Sequence, residues 1–238
     1  MKLASILLLM FIAIGTASGQ VTIYLAGDST CANKTADKRP ETGWGEMLQP
    51  YFDPAAVRIV NEAQNGRSTR SFIDEGRWKA LVDRLKKGDF VFIEFGHNDE
   101  KKDKPEVYAS PEDYRANLTR FINETRAKGA TPILLTPVAR RKFEHGSLVP
   151  THGVYPDAVK QVGREQRVPV IDMEAKSSAV LSHYGDEGSR QLFLQLKPGE
   201  EPNYPKGIED NTHFRPAGAT EMARKWGILP VKSLDSKH

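Results

Sequence analysis

Four short stretches of the 238-residue chain carry residue types that could do chemistry together. Ser29 stands in Ala26-Gly27-Asp28-Ser29-Thr30, directly after the apolar run Val21 to Leu25. A serine at the mouth of a strand, beside a glycine that lets the backbone turn sharply, can stand clear of the sheet. Far along the chain, Asp210-Asn211-Thr212-His213 offers a carboxylate and an imidazole at i, i+3. Those are the groups a serine needs to become a nucleophile. The imidazole takes the hydroxyl proton, and the carboxylate orients the ring and stabilises the imidazolium. The oxygen that becomes charged during acyl transfer also needs donors held ready. The backbone N–H groups of Ser29 and Gly66, with the side-chain amide of Asn98, would form such an oxyanion hole.

Taken singly, each of these residues has a plainer use. Ser29 could cap a helix, Gly66 could serve a turn, Asn98 could be turn or cap chemistry, and His213 could be structural. Asp210 and His213 could also pair on a metal, but no third ligand of suitable spacing accompanies them, so no metal and no cofactor is expected. The other histidines, His97, His145, His152, His183 and His238, are scattered and read as surface or structural residues. His97 lies beside Asn98 and is assigned no role.

The elements that must position these groups follow from pattern. Apolar, β-branched runs predict strands at 21–25, 57–61, 90–95, 131–137 and 168–172. Helical spacing and end signals predict helices at 72–85, 110–129, 155–166, 175–184 and 216–226, with a short one from Gly43 to near Pro50. The stretch from Gly185 to Glu209 reads as loop. Alternating strands and helices imply an α/β fold, with a five-stranded parallel sheet covered by helices on both faces. In such sheets ligands bind outside the carboxyl ends of the strands. Ser29, Gly66 and Asn98 follow the first, second and third strands, so their loops would meet at one rim. Asp210 and His213 would fold back over that rim from a loop before the last helix, and a helical turn there would set their side chains together.

Composition narrows the classes. A net charge of +3 and the absence of a Lys/Arg-rich block argue against nucleic acid. Cys31 is the sole cysteine, so no internal disulfide can form. It reads as packing near the site, since no base accompanies it. Residues 1–19, with Lys2, an apolar core and then small residues up to Gly19, have the layout of a secretory signal peptide, leaving residues 20–238 as one domain. The apolar core is shorter than the roughly 20 residues of a spanning helix. An exported, monomeric protein is expected, in the periplasm or outside the cell, with no membrane association after cleavage. Asn33-Lys34-Thr35, Asn117-Leu118-Thr119 and Asn123-Glu124-Thr125 are glycosylation sequons in a eukaryotic host only.

The four blocks Gly27-Asp28-Ser29-Thr30, Asn65-Gly66-Arg67-Ser68, Gly96-His97-Asn98-Asp99 and Asp210-x-x-His213, in this order, resemble those of the SGNH (GDSL-type) hydrolases. The resemblance implies a flavodoxin-like three-layer αβα sandwich. It makes Ser29 the nucleophile with Asp210 and His213, and Gly66 and Asn98 oxyanion donors beside the Ser29 amide. Thr30 departs from the leucine that many members carry there. With Gly43-Trp44-Gly45-Glu46 and Asp210-Asn211-Thr212-His213-Phe214, that departure is similar to the rhamnogalacturonan acetylesterase branch. The function implied is a secreted serine esterase removing acetyl groups from a plant cell-wall polysaccharide, pectic rhamnogalacturonan first. A polyanionic substrate would favour cations near the cleft, and Arg67, Arg70, Arg140 and Arg141 are the candidates, with solvated surface as their plainer reading. The alternatives are an esterase of the same chemistry acting on acetylxylan, another carbohydrate or a lipid, and a non-catalytic carbohydrate-binding protein. No Gly-x-Ser-x-Gly elbow is present, which argues against an α/β-hydrolase. The first loop lacks a phosphate-binding glycine pattern, which argues against a flavodoxin-like cofactor binder.

Overall fold

The computed structural model describes residues 20–225, so the leader assigned to residues 1–19 lies outside the described residues. A five-stranded parallel sheet runs through the centre. Its strands are β1 (Val21–Gly27), β2 (Val57–Asn61), β3 (Phe90–Glu94), β4 (Thr131–Leu135) and, after two short strands considered below, β7 (Val170–Ile171). Their order across the sheet is β2-β1-β3-β4-β7. All five positions match strands expected from the sequence, because residues buried on both faces leave near-continuous apolar runs.

Alternation along each strand divides the core in two. Ile23, Leu25, Phe92, Ile133 and Leu135 face one layer, together with Trp44, Leu48, Met173, Leu181 and Met222. Tyr24, Ala26, Val91, Ile93 and Leu134 face the other, against Phe72, Trp78, Tyr114, Phe121 and Val159. The first layer holds α5 (Met173–Ser189), α6 (Pro216–Arg224) and the 3-10 turn Trp44–Met47. The second holds α1 (Thr69–Asp74), α2 (Arg77–Val82), α3 (Pro111–Ala127) and α4 (Tyr155–Gln166). This is the αβα sandwich, and the strand order is flavodoxin-like.

Local chemistry sets the helix ends. Ser110 Oγ accepts the Asp113 amide at 3.1 Å and Pro111 opens α3, while Asp172 Oδ1 caps α5 through the Ala175 amide at 3.1 Å. The single helix expected over 72–85 is instead α1 and α2, separated by Gly76 in the left-handed region at φ +72°. Gly185, at φ +69°, likewise breaks α5 where the sequence ends its helix, and the chain then resumes one short turn.

The larger correction concerns the stretch expected as loop. It contains β8 (Phe193–Leu196), which pairs antiparallel with β9 (Ile208–Phe214). The other two short strands, β5 (Phe143–Glu144) and β6 (Ser147–Leu148), form a small hairpin after β4. The chain passes from β1 outward to β2 and then crosses back to β3 on the far side of β1. Connections leaving β1 and β3 therefore diverge, and a crevice opens at their carboxyl ends.

Candidate active site

The turn that carries Ser29 begins where β1 runs out. Gly27 is pressed against its neighbours, so that a Cβ there would lie 2.9 Å from the Glu94 carbonyl oxygen. Asp28 then folds the chain on itself: its Oδ1 accepts the Thr30 amide at 2.9 Å, and its carbonyl accepts the Ala32 amide at 3.0 Å. Ser29 stands at the apex. The Gly43-Trp44-Gly45-Glu46 stretch braces the turn from outside. The Trp44 amide donates to Thr30 O at 2.9 Å, and a Cβ at Gly43 would overlap the Ala32 carbonyl. Glu46 closes the bracket by accepting the Gly43 and Lys34 amides.

Opposite Ser29 lies the segment from Asp210 to His213. It is neither the loop nor the helical turn that its spacing suggests. Phe193 pairs with Phe214 and Gln195 with Glu209, so one residue of β8 faces four residues of β9, and those four are Asp210 to His213. The segment is a wide bulge, a device that turns side chains out of the strand's alternation. Within it Asp210 Oδ1 accepts the Thr212 amide at 2.6 Å and the His213 amide at 2.9 Å. Its other oxygen, Oδ2, lies 2.7 Å from His213 Nδ1, and His213 Nε2 lies 2.8 Å from Ser29 Oγ. Burial opposes ionisation of Asp210, yet the His213 ring and the two amides hold its carboxyl below the usual carboxylate range. A charged Asp210 keeps the proton of His213 on Nδ1 and leaves Nε2 free to accept from Ser29.

The loops after β2 and β3 complete the rim. Gly66 takes φ +76° in a turn closed by the Arg67 amide on Gln64 O at 3.2 Å, and nothing would meet a Cβ there. The left-handed backbone, not crowding, is what favours glycine at this position. Among the described residues neither the Ser29 amide nor the Gly66 amide donates to a protein acceptor. Asn98 Nδ2 donates one hydrogen to Arg67 O at 2.9 Å, and its Oδ1 accepts from Lys101 Nζ at 2.7 Å. The amide is thereby fixed with a second N–H to spare. Three unsatisfied donors at the carboxyl ends of β1, β2 and β3, beside a serine hydroxyl already bonded to an imidazole, are suited to holding an anionic tetrahedral oxygen.

The model of the GDSL-like lipase/acylhydrolase family matches residues 25–220. The chain belongs to that family. It is therefore an ester hydrolase. A rhamnogalacturonan acetylesterase of Bacillus subtilis, RhgT, is 42% identical over 205 residues, 86% of this chain and 87% of the relative. A second protein of that organism, the probable rhamnogalacturonan acetylesterase YesY, is 38% identical over 85% of this chain and 88% of its own. Among solved structures, YxiM of B. subtilis superposes with a TM-score of 0.72 at 29% identity; 87% of this chain is covered, and it spans 55% of that one. The acetylxylan esterase Axe2 of Geobacillus stearothermophilus shares the fold, with a TM-score of 0.62 at 24% identity over 88% of this chain and 94% of its own.

Beneath Ser29 the hydrolase has a buried polar cluster that sequence reasoning passed over. Asp28, Glu94 and His97 bring three ligand-type atoms within 4.8 Å of one another. Most of their oxygens are already engaged. Thr30 Oγ1 lies 2.9 Å from Asp28 Oδ1 and 3.2 Å from Glu94 Oε2, while Glu94 accepts from Trp44 Nε1 and the Val138 amide, each at 3.2 Å. The cluster is a hydrogen-bonded network that ties β1, β3 and the 3-10 turn together. Burial, and then the charge of Asp28, push the Glu94 carboxyl well above the ordinary glutamate range. Burial brings His97 down to about 4, which leaves its ring neutral, 3.3 Å from Asp28 Oδ2. The readable signal was Thr30, the departure that the sequence displayed without a reason.

Lys34 was also missed. Its buried ammonium donates to Ser29 O at 2.5 Å and Asn65 Oδ1 at 2.7 Å and pairs with Glu41 at 2.7 Å, so it clamps the Ser29 turn to the Gly66 loop. Cys31 is fully buried, and burial above all raises its thiol, the opposite of what a nucleophile needs. The four arginines divide. Arg67 pairs with Glu75, Arg70 with Asp74 and Arg140 with Glu100. Arg141 turns inward: it is buried, pairs with Asp186 and donates through Nη1 to Asn211 Oδ1 at 2.9 Å. It holds the bulge and cannot face a substrate.

Proposed function

We propose that this ester hydrolase removes O-acetyl groups from a plant cell-wall polysaccharide, with acetylated pectic rhamnogalacturonan as its substrate. The reading of the site rests above all on one observation, the unbroken run of contacts from Asp210 Oδ2 through His213 to Ser29 Oγ at 2.7 and 2.8 Å. Ser29 Oγ attacks the acetyl carbonyl carbon as its proton passes to His213 Nε2. The Ser29 and Gly66 amides and the spare N–H of Asn98 stabilise the oxyanion. When the tetrahedral adduct collapses, the ester C–O bond breaks and His213 returns the proton to the departing sugar hydroxyl. Water then attacks the acetyl-Ser29 ester with His213 again as base, releasing acetate.

The choice of substrate is supported by two relatives named for rhamnogalacturonan that match over most of both chains. The likeness to an acetylxylan esterase is one of fold, so xylan is the second reading. A polymer substrate fits an exported enzyme, in keeping with a leader at residues 1–19, outside the described residues. The test measures acetate released from acetylated rhamnogalacturonan and from acetylated xylan by the wild type and by Ser29→Ala. Serine-dependent release from the pectic polymer, with a loss on the order of 10⁵-fold in the variant, is the expected result. Undiminished release by a folded Ser29→Ala protein would end the mechanism. Release from xylan alone would overturn the substrate and keep the mechanism.

A further inference from the structure

Among the described residues, five cations donate side-chain hydrogen bonds to residues of the four site segments. Lys34 reaches Ser29 and Asn65, Arg67 reaches Asn65, Arg140 reaches His97, Arg141 reaches Asn211, and Lys101 reaches Asn98. Four of them are neutralised by a carboxylate: Glu41, Glu75, Glu100 and Asp186 respectively. Lys101 is the exception. Among the described residues no carboxylate stands within ion-pairing distance of its ammonium, which is bonded to the Asn98 side-chain oxygen at 2.7 Å. An ammonium has three donors, so two remain open on a half-buried side chain at the mouth of the site.

The position is as telling as the missing partner. Lys101 Nζ lies one amide group away from Asn98 Nδ2, the nitrogen that the proposed mechanism turns towards the ester oxygen. Partial burial first, and then the neighbouring cations Lys104 and Arg140, lower its affinity for its proton, while the charges of Asp28 and Glu100 oppose them. A ligand anion would relieve both. On a uronic acid, a ring ester and the ring carboxylate are separated by a few bonds, a span of the same order as that amide.

We infer that Lys101 is a specificity-determining residue that binds a carboxylate on the sugar bearing the ester or on the sugar next to it. The hydrolase would thus select acetylated uronic acids over acetylated neutral sugars. The inference rests on the ester-hydrolase reading of the Ser29 site and assigns the anion-binding role to Lys101 instead of the loop arginines. Because Lys101 also steadies Asn98, its removal slows every ester. The diagnostic quantity is the ratio between a charged and an uncharged substrate of one shape.

The experiment compares kcat/KM for the methyl glycosides of O-acetylated galacturonic acid and O-acetylated galactose, using wild type, Lys101→Met and Lys101→Arg. The wild type is expected to favour the uronate. Lys101→Met should lower the uronate-to-galactose ratio by about tenfold, chiefly through KM, because one charge-assisted contact is lost. Lys101→Arg should retain most of the ratio, and added salt should erode the wild-type preference. A wild type that does not prefer the uronate, that hydrolyses neither sugar, or whose ratio is unchanged in Lys101→Met overturns the inference. The polymer assay above reports separately: rhamnogalacturonan left intact, with the sugar ratio behaving as stated, sinks the polymer reading and leaves Lys101 standing.

Discussion

Thr30 has one hydroxyl hydrogen and two carboxyl groups around it. Asp28 Oδ1 is at 2.9 Å and Glu94 Oε2 at 3.2 Å. One hydrogen cannot fully serve both acids, and burial with the Asp28 charge raises the Glu94 carboxyl, which favours its protonated form. A protonated Glu94 donates to Thr30, and Thr30 to Asp28, directly beneath Ser29. A leucine here could do neither. Thr30→Val keeps the shape and removes the link, which should cost about 1–3 kcal/mol for a buried polar group left unpaired. Urea denaturation of the two proteins measures it, and a difference near zero would show the hydroxyl to be dispensable. The segments that carry Ser29, Gly66, Asn98, Asp210 and His213 stood out in the sequence because each sits beside a glycine or in a short polar block after an apolar run. Lys34 and Lys101 were not. Nothing in a local pattern separates a lysine that clamps two loops from one that is solvated.

At the scale of elements, the bulge in β9 sets the relation between Asp210 and His213. Four residues facing one cannot keep strand geometry, so the excess is held from both ends. Asp210 holds it from within through the Thr212 and His213 amides. Arg141 holds it from outside: its amide donates to Asn211 O at 2.8 Å, and its guanidinium spans Asn211, Ser189 and Asp186. Arg141→Met should therefore misplace His213 with little effect on substrate binding. A fall in kcat of about 10²-fold at near-constant KM is expected, since ångström-scale misplacement has that effect. Steady-state kinetics on a small acetyl ester check it, and a change confined to KM would contradict the positioning role. The strands of the parallel sheet were readable as apolar runs, whereas β8 was not. Phe193-Leu194-Gln195-Leu196 is short and lies among glycines and prolines, so only its pairing with β9 makes it a strand.

The whole molecule places several acids in a dry interior, with consequences for stability across pH. Asp99, fully buried, has its carboxyl raised by burial to about 7, although the Thr69 hydroxyl and amide both donate to it. The native state thus holds the Asp99 proton more tightly than the unfolded chain does. Its stabilising contribution is complete below about pH 4 and is lost as pH rises towards 7. Glu94 acts in the same direction. Asp28, held low by His97 and Thr30 against its burial, acts in the opposite one and loses its contribution only in acid. Asp99→Asn removes one titration and keeps the acceptor for Thr69. Its melting temperature relative to wild type should climb between pH 4 and pH 7 and then level off. A constant offset across that range would mean that Asp99 does not titrate there.

The sequence by itself determined the layers, the positions of the five parallel strands and the kinds of chemistry available, because burial on both faces of a strand and the ends of helices leave marks within a few residues. The tertiary structure decided what depends on distance across the chain. It brought His213 to Ser29 across 184 positions, set Asp210 and His213 in a bulge instead of a turn, and paired the cations around the site with acids from other segments while leaving Lys101 without one among the described residues. The physical reason is the same in each case. Propensity and capping are set by a residue's neighbours in the chain, whereas protonation, charge compensation and register are set by whatever the fold packs beside it.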